Sequence, residues 1–133
     1  DREVADAIVA AIQLIDPKLA ILAISGTETE QAARAANALV FSEIFADRGY
    51  LSSGQLVPRD QNGAMIHDAK DAAQRLISFL DTGLMPVIDG DPIELSAQSI
   101  CVHGDSAGAV EMTQEIHDRL TAHGVEITSF SKL

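Results

Sequence analysis

A histidine and an aspartate two residues apart stand between two predicted elements of this chain. His103-Gly104-Asp105 follows an apolar run over residues 99–102 and precedes a helix-type pattern that begins near Ser106. This pattern predicts a strand, a polar tip and a helix, and α/β proteins bind their ligands at the carboxyl ends of strands. Because an imidazole titrates near neutral pH, His103 is a candidate general base, with Asp105 beside it.

Further charged side chains follow other predicted elements. Glu43, Asp47 and Arg48 lie on or just after one strand, and Arg59 lies in a long loop. Because the carboxyl ends of parallel strands share one edge of a sheet, these residues and His103 could converge there. Arginine offers forked donors to developing negative charge, and the start of the last helix offers backbone N–H groups to an anion. A hydrolase acting on an amide or a phosphorylated intermediate needs such a set.

Each of these residues also has a structural interpretation, which the sequence leaves open. Asp47 and Arg48 could form a salt bridge or a turn, and Glu43 must be paired if its apolar run is buried. Asp105 or Ser106 could only cap the last helix. The loop arginine could be solvated, and the strand-end histidine could simply be hydrogen-bonded. The other histidines lie in or beside helices and are predicted to be surface residues: His67, His117 and His123.

Alternating apolar runs and amphipathic segments organise the chain around these residues. Helices are predicted up to Pro17 and over residues 27–39, 68–80 and 106–123. Strands are predicted over residues 19–25 and 40–46, up to His103, and over residues 125–128. Residues 49–63 read as a long loop, and residues 84–95 as a hairpin turning at Asp89-Gly90. Thr27 and Glu30 predict a capping box. This order predicts an α/β fold with a mostly parallel sheet.

Composition narrows the class of protein. The chain has 133 residues, 47% of them hydrophobic, which is enough for a single domain with a core. A net charge of −11 argues against nucleic acid or an anionic membrane surface as a partner. No apolar run approaches the length of a membrane span, and no signal peptide opens the chain. We therefore expect a cytoplasmic protein. The one cysteine, Cys101, is expected to pack as a small hydrophobe.

Three segments in order, with their separations, carry a resemblance to a known family. They are residues 41–50 (FSEIFADRGY), 54–59 (GQLVPR) and 100–105 (ICVHGD). Together they resemble the LamB/YcsF family, the A subunit of the prokaryotic 5-oxoprolinase, and the likeness covers essentially the whole chain. The family's amino-terminal motifs are not found in this sequence, and family members are nearly twice as long. The chain therefore resembles the carboxy-terminal half of a member.

The resemblance implies a fold and an activity. The fold would be a seven-stranded β/α barrel related to the sugar deacetylases. Residues 1–133 would form the carboxy-terminal half of this barrel, an incomplete barrel with mostly parallel strands and one hairpin. The activity would be ATP-dependent opening of the 5-oxoproline lactam to glutamate, with Mg²⁺ accompanying ATP. The expected partners are subunits B and C, together with either the missing amino-terminal half or a second copy of this chain.

Roles follow from the resemblance together with the residue types. His103 would act as a base or donor at the carbonyl. Asp105 and Glu43 would orient it, hold the substrate N–H or bind a metal. Arg48 and Arg59 would take the substrate carboxylate or phosphate. Asp47, Gly104 and Ser106 are further candidates for substrate or phosphate binding.

Two other functions remain open at this stage. A metal-dependent, deacetylase-like hydrolase on the same barrel would hold a divalent metal near His103 and Asp105. A non-catalytic binding or scaffolding fragment would only position its partner. In the second case, changes at the strand tips would have no effect, and changes at the interface would abolish function.

Overall fold

The computed structural model describes residues 1–105 and 107–130, in which helices and short strands alternate. The helices are α1 (Arg2–Ile15), α2 (Glu28–Ala35), α3 (Ala69–Thr82) and α4 (Ala109–Ala122). The strands are β1 (Ile21–Ile24), β2 (Val40–Phe45), β3 (Leu84–Met85), β4 (Ile93–Glu94) and β5 (Ser99–Cys101). The chain forms two compact units. The first comprises Asp1–Ile44 and Ser96–Ser99, and the second comprises Phe45–Leu95 and the chain from Ile100 onward.

The principal sheet has the strand order β1-β2-β5. β1 and β2 run parallel, from Ile21 opposite Val40 to Ile24 opposite Glu43. β3 and β4 pair antiparallel in a separate two-stranded ribbon, which is the predicted hairpin. The prediction of an α/β fold with mostly parallel strands is therefore confirmed.

The first unit is held together by small apolar side chains between α1, α2 and β1. Most residues of this cluster are alanines, whose small side chains allow α1 and α2 to pack closely. The two residues that α1 supplies lie four positions apart, on one face of the helix. The buried cluster consists of Ala5, Val9, Ile21, Ala23, Ala32 and Ala33.

The predicted capping box at the start of α2 forms in an altered way. The Thr27 side chain accepts from the N–H of Glu30 as expected. The Glu30 carboxylate, however, accepts from the N–H of Gly26 at 2.6 Å. The Thr27 N–H is already donated to the carbonyl oxygen of Ile24, so Glu30 binds the donor one residue earlier.

The second unit packs α3 against α4 beside the long loop. α3 begins at Asp68, whose carboxylate accepts from the N–H groups of Lys70 and Asp71, and it ends at Gly83 in the left-handed conformation. The loop predicted at residues 49–63 is confirmed, and a bridge between Tyr50 and Leu56 closes part of it. The buried apolar side chains of this unit include Ala46, Tyr50, Val57, Leu76, Met85, Ile116 and Leu120.

The structure corrects three predicted boundaries. The last helix begins at Ala109 rather than near residue 106, because Gly108 has a φ of 82°, which a right-handed helix cannot include. α2 stops at Ala35, well before residue 39, since Asn37 takes a φ of 55°. The predicted strand at residues 125–128 does not form, and the N–H of Val125 instead closes α4 onto the carbonyl of Leu120.

The helices are also unsuited to a bilayer. Within the described part of the chain, every helix is too short or too polar to cross a membrane.

Candidate functional site

Asp47 and His103 meet in the second unit, just beyond the ends of β2 and β5. The Nδ1 atom of His103 lies 2.9 Å from Oδ1 and 3.0 Å from Oδ2 of Asp47. The backbone N–H of His103 also donates to Oδ2, at 3.1 Å. Asp47 is 2% exposed, whereas the His103 side chain is 21% exposed. The carboxylate therefore fixes both the main chain and the ring of His103, and the ring stays within reach of a small ligand.

The pairing determines which ring nitrogen of His103 is available for chemistry. An ionised carboxylate can only accept, so Nδ1 of His103 carries the hydrogen and Nε2 carries the lone pair. The Phe45 ring stacks on the imidazole, with centroids 5.3 Å apart and planes 17° apart. This contact holds the ring plane, and Nε2 is therefore an oriented proton acceptor.

The orienting contact comes from a different acid than the sequence predicted. Asp105 and Glu43 were predicted to orient His103, to hold the substrate N–H or to bind a metal, and Asp47 was predicted to contact substrate. In the structure Asp47 orients the histidine, because it lies directly after β2 beside the end of β5. Asp47 is buried, so this position also gives its charge a hydrogen-bonded partner.

Arg59 and Asp105 form a second, exposed pair in the same unit. Nη1 of Arg59 lies 3.2 Å from Oδ2 of Asp105, and each side chain is more than half exposed. The hydrogen bond from Arg59 lowers the pKa of Asp105, and the charges of Arg59 and His103 act in the same direction. Asp105 is thus held ionised beside a cation that solvent and anions can reach.

Arg48 is placed differently from Arg59. Its guanidinium is buried and donates to the carbonyl oxygens of Ala64 and Val57, at 3.1 and 2.7 Å. The N–H of Gly49 also bonds to Ala64. Arg48 therefore binds the long loop to the end of β2, and this loop carries Arg59.

Gly104 lies at the mouth of an open groove along α4. A side chain built at Gly104 would meet no atom within 4 Å, so the backbone here is accessible. The groove runs from this glycine past the first turns of α4, and its lining includes Thr113, Gln114 and His117. Gly104 was predicted as a site residue from the sequence, whereas the groove beside it was not.

The remaining predicted residues lie elsewhere. Glu43 belongs to the first unit, where its carboxylate accepts from the hydroxyl of Ser99 at 3.0 Å, so this acid is paired, as a partly buried carboxylate requires. Ser106 lies outside the described residues. The other histidines are exposed as predicted, and two of them face acids: His117 lies beside Asp118 and His123 beside Asp81.

One polar residue beside the site was not predicted from the sequence. Arg75 of α3 donates to the carbonyl oxygens of Phe45, Ala46 and Arg48, the residues around Asp47. A signal for it existed, because Arg75 follows Ala72 by three positions and precedes Phe79 by four, and both of these are buried. An arginine at such helical spacing lies beside the inward face.

The placement of the acidic, histidine and cysteine side chains determines whether they could hold a metal ion. Among residues 1–105 and 107–130, no three His, Cys, Asp or Glu side chains come together closely enough to hold a metal ion.

A profile of the LamB/YcsF family matches residues 1–133. The chain belongs to the LamB/YcsF family. The resemblance carried by residues 41–50, 54–59 and 100–105 is thus confirmed.

Individual relatives of the chain are named by activity. The first 5-oxoprolinase A subunit of Agrobacterium fabrum is 43% identical over 131 residues, covering 98% of this chain and 51% of the relative. The 5-oxoprolinase A subunit of Mycobacterium marinum is 42% identical over 129 residues, covering 97% and 51%. The chain spans about half the length of the curated relatives it matches.

A solved structure agrees with the fold. The crystal structure of the lactam utilization protein from Thermus thermophilus superimposes with a TM-score of 0.82 at 36% identity. The match covers 96% of this chain and 50% of that one. The fold described here therefore corresponds to half of a longer fold in that relative.

Proposed function

We propose that this chain is part of an ATP-dependent 5-oxoprolinase, which opens the lactam of 5-oxoproline to glutamate. The observation that carries the proposal is the buried Asp47 bound to Nδ1 of the partly exposed His103. Such a pair presents an oriented base to a hydrolytic water. The relatives are named as the A subunit of 5-oxoprolinase or as a lactam utilization protein, and these names supply the substrate class.

His103 supplies the proton transfer in this proposal. Opening the lactam adds water to the carbonyl carbon and breaks the C–N bond, leaving a carboxylate and an ammonium group, which together retain both protons of the water. Nε2 of His103 takes a proton from the attacking water and returns it to the departing nitrogen, while Asp47 stabilises the charged imidazole. ATP, bound with Mg²⁺, would supply the activation that makes the amide carbon reactive.

The anionic groups of the substrates need cations. Arg59 is the candidate for the substrate carboxylate or phosphate, because its guanidinium is exposed and lies beside Asp105, two residues after His103. Gly104 and Ser106 would contribute backbone contacts at the strand tip. Arg48 would act through the loop that it binds, and Asp105 would hold the substrate N–H.

Further chains complete the proposed enzyme. We propose that the chain forms half of a seven-stranded barrel, that either the other half or a second copy of this chain packs against it, and that subunits B and C complete the assembly. Two features support a missing half: β1 is an edge of the sheet, and an apolar surface remains exposed on the first unit. Its exposed residues are Val4, Ile8, Leu14, Ile15, Leu19 and Leu22.

The intact mass and the solution size of the purified protein test whether a second half of the barrel is bound. We expect a second polypeptide of similar length, or a self-associated dimer if that polypeptide is lacking. Ile8→Glu should disrupt the association, and Ile127→Glu, an equally exposed apolar position in the other unit, should not. A stable monomer would contradict the half-barrel proposal.

Replacement of the base tests the activity. In the complete assembly, His103→Ala should lower kcat for glutamate formation by about 10²- to 10⁴-fold, the usual contribution of a general base. His67→Ala, an exposed histidine of the loop before α3, is the matched control. Unchanged activity of His103→Ala would refute the proposed function.

A further inference from the structure

Arg75 contacts the backbone on both sides of Asp47. Its Nη2 donates to the carbonyl oxygens of Phe45 and Ala46, at 2.7 and 3.0 Å, and its Nη1 donates to that of Arg48 at 2.8 Å. Asp47 is the third residue of the segment 45–48, and one planar guanidinium binds the carbonyl oxygens of the other three residues. All of these groups belong to the second unit.

The surroundings of Arg75 are those of a fixed group. The guanidinium carbon lies 5.8 Å from the centre of the Tyr50 ring, and Tyr50 is completely buried. Its Nε is also buried and has no hydrogen-bond partner among the described residues. Burial lowers the pKa of Arg75, while the nearby Asp47 and Tyr50 favour its charge. Keeping the charged guanidinium of Arg75 in a buried position costs desolvation free energy. The hydrogen bonds that it donates to the backbone around Asp47 best explain why the charge is there.

Tyr50 takes part in the same arrangement. The N–H of Phe45 donates to the hydroxyl oxygen of Tyr50 at 2.9 Å, so the residue that stacks on His103 is held from its amide and its carbonyl. The end of β2 thus has little freedom. The carboxylate of Asp47 and the ring of Phe45 reach His103 from this one constrained segment.

We infer that Arg75 is a positioning residue for the His103–Asp47 pair: by binding the carbonyl oxygens around Asp47, it fixes the turn that directs the carboxylate at Nδ1. The consequence for catalysis rests on the proposed function, whereas the orientation of His103 does not. Arginine suits this task because its planar fork presents several donors at once, whereas lysine presents one compact ammonium.

The direct test is the ring tautomer of His103 in Arg75→Met and Arg75→Lys. Nitrogen-15 shifts of the imidazole distinguish a hydrogen on Nδ1 from one on Nε2. In the unchanged protein, we expect the Nδ1–H form alone. In Arg75→Met, we expect a mixture of both tautomers, and Arg75→Lys should lie between. Arg119→Met, which removes a surface pair with Glu115 in the same unit, is the control and should keep the Nδ1–H form.

Turnover supplies the second readout in the complete assembly. Arg75→Met should lower kcat by about 10- to 100-fold with KM little changed, as expected for a misplaced catalytic group. Arg75→Lys should recover part of this loss, and the control variant should lose nothing. If Arg75→Met does not fold, Arg75→Lys decides both readouts.

Two outcomes would overturn the inference. One is an Arg75 variant that loses thermal stability and yet keeps the tautomer and the kcat of the unchanged protein. The other is a tautomer change as large in Arg119→Met. If His103→Ala proves fully active while the tautomer still changes in Arg75→Met, the proposed function fails and the positioning role of Arg75 remains.

Discussion

Among residues 1–105 and 107–130, each unit contains one buried carboxylate, Glu30 in the first and Asp47 in the second, and the two are used differently. In the first unit, Oε1 of Glu30 accepts from the Arg34 guanidinium and the Ser42 hydroxyl, and Oε2 accepts from the N–H of Gly26. In the second unit, both oxygens of Asp47 face a single residue, His103. Glu30 thus joins a helix start to a strand, whereas Asp47 orients a titratable ring.

The two carboxylates differ in whether their partners keep an atom that is free to react. The groups that donate to Glu30 all belong to the first unit, so the network contributes to folding. The ring bound by Asp47 has a second nitrogen and is partly exposed, and the exposed Arg59–Asp105 pair lies in the same unit. A buried acid alone therefore does not indicate a site. The indication comes from an acid whose partner retains a reactive atom.

The largest expected effect comes from Asp47→Asn. An amide can donate to Nδ1 and favour the wrong tautomer, so kcat should fall on the order of 10³-fold or more, as when the orienting acid of a catalytic triad is replaced. Steady-state kinetics of the assembly measure this effect. Asp118→Asn, at the exposed pair with His117, serves as control. If both variants behave alike, the proposed difference between the two units is wrong.

Glu30→Gln should have the opposite phenotype. It leaves the buried Ser42 hydroxyl and the Arg34 guanidinium without a charged acceptor, so the free energy of unfolding should fall by about 1–3 kcal/mol. The kcat per folded molecule should not change. Urea unfolding at pH 7 measures the loss, and Glu28→Gln at an exposed position of the same helix is the control. A large kcat effect of Glu30→Gln would contradict the structural role.

The same network predicts a pH dependence of stability. Burial opposes ionisation of Glu30, but hydrogen bonds from Ser42, Arg34 and Gly26 outweigh it and lower its pKa below the usual 4.5. The unfolded chain therefore takes up the proton first. The stabilisation is present above about pH 4.5 and is lost as pH falls through the lowered pKa. Unfolding free energies between pH 6 and pH 3 should decline less steeply in Glu30→Gln.

The smallest effect is expected from Arg59→Gln. The pair with Asp105 is exposed, so stability should not change measurably. The KM for 5-oxoproline or for ATP should rise about 10-fold, the loss of one charge-assisted contact. Arg119→Gln should alter neither constant. If Arg59→Gln changes only kcat, Arg59 acts on the reaction rather than on binding.

Most of the elements and some of the site could be predicted. The hairpin, the long loop and the parallel strands follow from apolar periodicity and turn residues, which are local signals. The start of α4 was placed too early because the left-handed backbone of Gly108 is not visible in a helical pattern. Predicting Asp47 and His103 as neighbours required only the rule that strand ends share an edge.

The sequence determined which residue types stand at the strand ends and to which family the chain belongs, since both depend on order and spacing along the chain. Tertiary structure decided which acid binds His103, because that depends on the register between the ends of β2 and β5. It also brought Arg75 from α3 to the carbonyl groups around Asp47. Contacts between residues distant in sequence have no local signature, and these contacts determine which nitrogen of His103 can accept a proton.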